Sequence, residues 1–174
     1  MVYQPETYYL KPNRHAPNSD LPVLIYRDCL PLPLSEGNAK EFLESHAWIQ
    51  GGTWGHISTR HFHPNTHECY GVFQGESTLL LGCGKNDSGG GQEIDVRAGD
   101  VIVLPAGTGH CSTESSQDYR YIGVYPQGAP KWRNELGKEP IDLEEFRQET
   151  TAVAMPKEDP VNGPDGPLLK LWTA

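Results

Sequence analysis

Two histidines and a glutamate near the middle of the chain have the side chains and the spacing of a metal site. His61 and His63 are two residues apart in a segment of alternating side chains, and Glu68 follows beyond the sequence Pro-Asn-Thr, which predicts a turn. Residues i and i+2 of a strand point to the same face, so both imidazoles project from one side. A returning strand would bring Glu68 across from them.

A second segment contributes a third imidazole, His110, at the end of another predicted hairpin. Three imidazoles and one carboxylate that converge on one face are suited to a divalent transition metal. Fe(II), Mn(II), Ni(II), Co(II), Cu(II) and Zn(II) all accept such ligands, and the affinity order alone does not choose among them. In an octahedral shell, positions would remain open for a bidentate substrate, or for a substrate together with O₂.

These residues belong to two motifs of fixed spacing. The first is Gly, five residues, His-x-His, four residues, Glu, six residues, Gly, and it runs from Gly55 to Gly75. The second is Gly, five residues, Pro-x-Gly, two residues, His, and it runs from Gly99 to His110. Both resemble the signature blocks of the cupin superfamily, and the stretches HFHPNTHE, GDVIVLPAGTGH and DPVNGPDGPL resemble its YjlB-like single-domain branch. Where the family usually has Asn, this chain has Glu114.

The resemblance implies a fold, a metal site and a class of function. The fold is a jelly-roll β-barrel, and the ligands of its metal are His61, His63, Glu68 and His110. Cupins are often homodimers in which an N-terminal arm adds to the neighbouring subunit's sheet. Many single-domain cupins are dioxygenases, so a non-haem iron dioxygenase or related oxidoreductase is favoured. The alternatives are a non-redox lyase, decarboxylase or isomerase, and a non-catalytic protein that binds a small molecule.

Two further residues beside the motifs have roles that the sequence leaves open. His67 precedes Glu68 and should face away from it by alternation, which predicts a supporting position unless the turn is irregular. Glu114 shares the parity of His110, and an inward-facing carboxylate in a partly apolar cavity would have a raised pKa and could act as general base. The alternative for Glu114 is an exposed position at the rim of the barrel.

Aromatic and sulfur-containing side chains accompany the motifs. Trp48 and Trp54 could wall a pocket for a flat or sugar-like ligand, although large aromatic residues in β-proteins more often belong to the core. Tyr70 shares the parity of Glu68 and could project into the barrel. The four cysteines show no CxxC spacing, and the two that adjoin ligands should point away from the ligand face as small core residues.

The surrounding sequence predicts an antiparallel β-fold that positions the motifs. Residues 1–52 form an arm, a strand and a helix at 35–49 that packs on the barrel. Residues 53–127 contain short strands separated by glycine-rich turns, which predict the core barrel. Residues 128–174 form a short helix at 141–148 and a turn-rich strap on the outside. A length of 174 residues suits one structural domain made of all three parts.

Charge and hydropathy exclude several classes of partner. The net charge is -9, with 23 acidic and 14 basic residues, and such a surface disfavours the polyanions nucleic acid and anionic membrane. No apolar run approaches the length that crosses a bilayer, and the N-terminus has no basic start followed by an apolar run. The sequence therefore predicts a cytoplasmic protein with a small-molecule substrate.

Overall fold

The computed structural model describes residues 1–173, which form two antiparallel β-sheets with short helices outside them. The strands are β1 (Glu6–Tyr8), β2 (Val23–Tyr26), β3 (Trp48–Trp54), β4 (Glu68–Gln74), β5 (Glu76–Leu81), β6 (Gln92–Arg97), β7 (Val101–Leu104), β8 (His110–Ser115) and β9 (Arg120–Pro126). The helices are α1 (Glu36–Glu44), α2 (Leu143–Thr151) and α3 (Pro167–Leu171).

The strand order is that of a jelly roll. The larger sheet has the order β1-β2-β7-β4-β9-β3 and the smaller sheet has the order β6-β5-β8. Strands distant in sequence, such as β4 and β9, are therefore neighbours, as in the double-sheet jelly rolls. The two sheets do not join into one continuous hydrogen-bonded barrel. The prediction of an all-β jelly roll with short helices and a strap is confirmed.

Hydrophobic clusters cover both faces of the larger sheet. Leu24 and Ile25 are neighbours in β2 and belong to opposite clusters, as strand alternation requires. Ile25 faces the smaller sheet and shares a cluster with Leu79. Leu24 faces outward and shares a cluster with Leu43 of α1 and Trp172 of the C-terminal strap. The site described below lies in the space between the sheets.

Asp159 fastens the C-terminal strap to the outer cluster. Its carboxylate is fully buried and accepts hydrogen bonds from the backbone N–H groups of Val161, Asn162 and Leu168. The Tyr26 hydroxyl donates to the same carboxylate. Burial, reinforced by Asp159, raises the pKa of Tyr26, so this hydroxyl remains a donor at neutral pH. The aspartate that opens the DPVNGPDGPL stretch therefore organises the whole turn.

The first helix is shorter than the predicted range of 35–49. Its N-terminus is as expected, since the Ser35 hydroxyl accepts a hydrogen bond from the N–H of Asn38 at 3.1 Å. Its end at Glu44 is earlier because Ala47 adopts a left-handed conformation with φ of 61°. Trp48 then already belongs to β3 and pairs with β9. Pairing between strands has overridden the helical periodicity.

The N-terminal arm adds to the edge of its own chain's sheet, where β1 pairs with β2. Its part in a neighbouring subunit's sheet stays a prediction. Within residues 1–173, every helix is too short or too polar to cross a lipid bilayer.

Candidate metal centre

The histidine segment before β4 is held extended by two isolated β-bridges. His61 exchanges backbone hydrogen bonds of 3.2 and 2.9 Å with His110, at the start of β8. Phe62 is bridged in the same way to Glu135, from the segment that follows the last strand. The Phe62 side chain is buried away from the site and packs on Phe146. His61 and His63 therefore present their imidazoles on the other side.

The predicted ligand residues meet at one point between the sheets. One ring nitrogen from each of His61, His63 and His110 lies within 4.8 Å of the other two. Glu68, the first residue of β4, places its Oε1 atom 3.5 Å from Nε2 of His63 and 3.1 Å from Nε2 of His110. His63, His110 and Glu68 are buried, whereas His61 is half-buried toward the cavity.

Each of the three imidazoles is oriented by a backbone carbonyl at its Nδ1 atom. The distances are 2.8 Å from His61 to Thr59, 3.1 Å from His63 to Arg133 and 2.9 Å from His110 to Thr108. A proton on Nδ1 leaves the lone pair on Nε2, which points into the cluster. Backbone carbonyls commonly fix the tautomer of metal-ligating histidines in this way.

Buried polar atoms in the cluster lack hydrogen-bond partners, and this tests whether a metal would fit. Oε1 of Glu68 and Nε2 of His110 are buried and 3.1 Å apart, yet they are not aligned for a hydrogen bond. Leaving such atoms unsatisfied costs roughly 1–3 kcal/mol each, and more for charged groups. A divalent cation between them would satisfy both. The three histidines could therefore hold a metal, with Glu68 beside them.

The protonation states of the cluster are set by burial and by the pairing of Glu68 with the histidines. Burial lowers the pKa of His61 to about 3, with His110 as the next cause. Burial also lowers the pKa of His63, but the Glu68 carboxylate outweighs it, so the net shift is upward. Burial raises the pKa of Glu68, but His63 and His110 outweigh it and hold that pKa well below its usual range. The metal-free cluster thus pairs an ionised Glu68 with a proton held on His63, and a divalent cation that binds there would displace this proton.

Tyr125 holds the carboxylate oxygen that faces away from the histidines. Its hydroxyl donates a hydrogen bond to Oε2 of Glu68, while Oε1 faces the imidazoles. Burial and the nearby Glu68 raise the pKa of Tyr125, so it stays a donor. The sequence analysis did not single out Tyr125. The available signal was strand alternation, because Tyr121 and Tyr125 share one face of β9.

Replacing Tyr125 with phenylalanine should weaken metal affinity by about 10–100-fold, the usual cost of losing a group that orients a ligand. The lost hydroxyl would leave Oε2 of Glu68 buried without a donor. Competition with a chromogenic chelator for Co(II) or Zn(II) would measure the change. The exposed Tyr9 offers a matched control, and Tyr9→Phe should bind as wild type does. Equal affinities for Tyr125→Phe and wild type would refute the role.

His67 faces away from the cluster and supports the outer core. Its ring packs on Trp172 with centroids 4.8 Å apart, and its Nδ1 atom accepts a hydrogen bond from the N–H of Ala106 at 2.9 Å. Burial lowers its pKa to about 4. His67 therefore takes the supporting position that alternation predicts, and its ring contacts the strap instead of the metal ligands.

Acid should destabilise the metal-free protein in part through His67. Its pKa is about 4 in the folded state against 6.5 in the free side chain, so the unfolded state binds the extra proton between these values. The free energy of unfolding therefore rises with pH across this window. The stability that comes from a neutral His67 is fully present above pH 6.5, and ~3 kcal/mol of it is lost as the pH falls to 4. His67→Asn keeps an acceptor for Ala106 but cannot titrate. Urea unfolding at several pH values should show a shallower pH slope for the variant; identical slopes would contradict this.

Glu114 lies on the outer face of β8, which is the exposed one of the two positions that the sequence left open. Ser112 and Glu114 pair with consecutive residues of β5 although they are two apart in sequence. Thr113 is therefore the extra residue of a β-bulge, which inverts the alternation beyond it. The Glu114 side chain is exposed and lines a separate surface groove. A general base beside His110 is not available from this residue; the exposed alternative is the one observed.

The cluster opens into a cavity of about 350 Å³. Besides His61, His63 and Glu68, the cavity is lined mainly by large aromatic side chains, namely Trp54, Tyr70, Tyr121, Tyr125 and Trp132. Of the two tryptophans considered from the sequence, Trp54 lines the cavity. Trp48 belongs to the outer core, where its Nε1–H donates to the carbonyl of Glu158.

Trp132 and Asn134 come from the segment after β9, which belongs to the predicted C-terminal part, residues 128–174. The same segment supplies the Arg133 carbonyl that orients His63 and the bridge between Glu135 and Phe62. These contacts hold the segment after β9 against the extended segment that carries His61 and His63, so the segment after β9 forms part of the cavity wall.

Solved structures that match part of this chain include two groups of larger proteins. Procruciferin, an 11S globulin from Brassica napus, is 16% identical with a TM-score of 0.38, over 62% of this chain and 31% of its own. A mutant of Bacillus subtilis oxalate decarboxylase OxdC is 19% identical with a TM-score of 0.36, over 70% of this chain and 29% of its own. The chain thus spans less than a third of the length of these solved chains.

The sequence comparisons establish the family. Residues 52–125 match the family described as Cupin domain. The uncharacterized protein YjlB of Bacillus subtilis (strain 168) is 31% identical over 173 residues, which cover 99% of each chain. The protein belongs to the cupin family.

Proposed function

We propose that the protein is a metal-dependent enzyme acting on a small molecule, with the chemistry of a non-haem iron dioxygenase or related oxidoreductase. The observation that carries the proposal is the convergence of His61, His63 and His110 beside Glu68, at one end of an open cavity. Iron(II) held there would supply a redox-active centre with positions open toward the cavity. The histidine tautomers and the ionised carboxylate support a divalent metal at this position.

The remaining cavity residues favour redox chemistry over proton transfer. Among the described residues that line the cavity, Glu68 is the single carboxylate, and its two oxygens face the histidines and Tyr125. Burial raises the pKa values of Tyr70 and Tyr121, so these phenols are hydrogen-bond donors and not bases. A lyase or isomerase that moves a proton needs a base near the substrate. With Glu114 outside, the cavity walls offer none.

Oxygen uptake by the iron-reconstituted protein tests the proposal. A panel of small diols, enols and thiols should contain compounds that stimulate O₂ consumption by wild type, but not by Glu68→Gln at the same iron concentration. The exposed His56 provides the control His56→Ala, which should retain the activity. Turnover that persists without O₂, with Zn(II) or Mn(II) in place of iron, would overturn the oxygenase and support a lyase, decarboxylase or isomerase. Tight binding of a compound with no turnover in the presence of any metal would support the alternative of a non-catalytic protein that binds a small molecule.

A further inference from the structure

The walls of the cavity are flat and aromatic. Tyr125 and Trp132 stack with ring centroids 4.7 Å apart and planes 4° from parallel. Tyr70 and Tyr121 stack at 3.8 Å and 16°. Trp54 meets Trp132 edge-on at 5.8 Å. Aromatic faces and edges are best satisfied by another flat ring in offset or edge contact, so this cavity favours a planar, unsaturated ligand.

The backbone is adapted to these rings. A Cβ atom at Gly123 would lie 2.4 Å from the ring of Trp54, and one at Gly51 would lie 2.4 Å from the ring of Tyr125. Neither contact is possible, so glycine at these two positions lets the rings lie directly on β9 and β3. The aromatic walls therefore depend on the strands as well as on the side chains.

The cavity lacks a cation that could hold a second negative charge. Within residues 1–173, no lysine or arginine lines it. Arg60 donates to the backbone carbonyl of Asp87 at 2.9 Å, and the Arg133 guanidinium forms a bidentate pair with Glu149 at 2.8 and 2.7 Å. Both arginines near the site are thus engaged elsewhere, and the exposed Lys131 ammonium, 5.6 Å from the centroid of the Trp132 ring, is not among the residues that line the cavity.

Charge balance then limits the ligand. A divalent metal with neutral imidazoles and one carboxylate retains a single positive charge, which one negative charge on the ligand would neutralise. A second anionic group would be removed from water against aromatic rings, and an unpaired charge in such surroundings is strongly disfavoured.

We infer that the cavity selects a small planar molecule of the catechol or enediol class, which chelates through adjacent oxygens and carries no other charged group. The inference rests on the proposed metal site. A cavity of about 350 Å³ lies at the lower end of the range for small-molecule pockets, which suits a ligand with a single ring. Dicarboxylates and phosphorylated sugars fall outside this class.

Calorimetric binding to the Co(II)-loaded protein, without oxygen, tests this selection. The probes are 4-methylcatechol and 3,4-dihydroxybenzoate, which share the chelating group and the ring and differ by a methyl or a carboxylate. The methyl compound should bind at least tenfold more tightly. Equal binding, or tighter binding of the carboxylate, would overturn the inference.

Two variants separate the contributions of shape and charge. Trp132→Leu should weaken 4-methylcatechol about tenfold at unchanged cobalt content, a loss within the range of an aromatic pair plus its buried area, whereas the exposed Tyr9→Leu should have no effect. Asn134→Arg places a cation among the lining residues and should narrow the difference between the two probes. Unchanged binding in Trp132→Leu, or unchanged discrimination in Asn134→Arg, would count against the inference.

The outcomes also distinguish this inference from the proposed function. A protein that binds no cobalt would refute the metal site and both proposals. Cobalt-loaded protein that does not discriminate between the probes would refute the ligand class alone. Discrimination without O₂ consumption in the iron form would refute the oxygenase alone.

Discussion

Replacing His61 and His63 together with alanine should abolish stoichiometric metal binding, while the protein remains folded. Two of the three imidazoles would be lost, and His110 with Glu68 would remain. If four ligands provide a metal-binding free energy on the order of 10–16 kcal/mol, the loss of two ligands lowers the affinity for the metal by roughly 10⁴-fold or more. The hydrophobic clusters on both faces of the larger sheet do not include either histidine, so the fold should persist.

Elemental analysis of the reconstituted and dialysed variant would measure this effect, with circular dichroism to verify the fold. His56→Ala is the matched control, since His56 lies in the first motif but is exposed and contacts Ser115. It should retain the metal content of wild type. A double variant that still binds one metal per chain would show that His61 and His63 are not ligands.

Replacing Asp159 with alanine should lower the free energy of unfolding by about 3–5 kcal/mol, because several buried donors lose their acceptor together. The hydroxyl of Tyr26 and the backbone N–H groups of the DPVNGPDGPL turn all donate to this carboxylate. Trp172 lies beyond the turn and packs on His67, so a loosened strap would also expose the core behind the ligand strand.

Urea unfolding of the metal-free protein would measure the loss. Asp165 lies in the same turn but is exposed, and Asp165→Ala should change stability by no more than about 0.5 kcal/mol. A cost below about 1 kcal/mol for Asp159→Ala would mean that the strap is not fastened by this residue.

The ligand cluster could be predicted because its geometry is set mostly by local rules. The spacing of His61 and His63 fixes their common face on an extended segment, and Glu68 follows after a short turn. The parity of Glu114 could not decide between its two positions, since the bulge at Thr113 depends on the pairing of β8 with β5. Alternation along one strand carries no information about such a bulge.

The cavity wall could not be predicted because it depends on distant contacts. Tyr125 meets Glu68 across 57 positions in sequence, and Trp132 follows the last strand in a stretch with no periodic pattern. The boundary of α1 has the same origin, since the pairing of Trp48 with β9 ends a segment that is helical by its own periodicity. In each case the local structure is determined by contact with a residue that is distant in the sequence.

The metal content of the wild-type protein, combined with X-ray absorption at the metal edge, shows whether the three histidines and Glu68 bind an ion. We expect one divalent transition metal per chain, with imidazole nitrogen and carboxylate oxygen in its coordination shell. Iron as the native metal would support the proposed oxygenase, and zinc or manganese would favour the non-redox alternatives. Wild-type protein that binds no metal after reconstitution would contradict the account, because the convergence of His61, His63 and His110 beside Glu68 would then serve no ion.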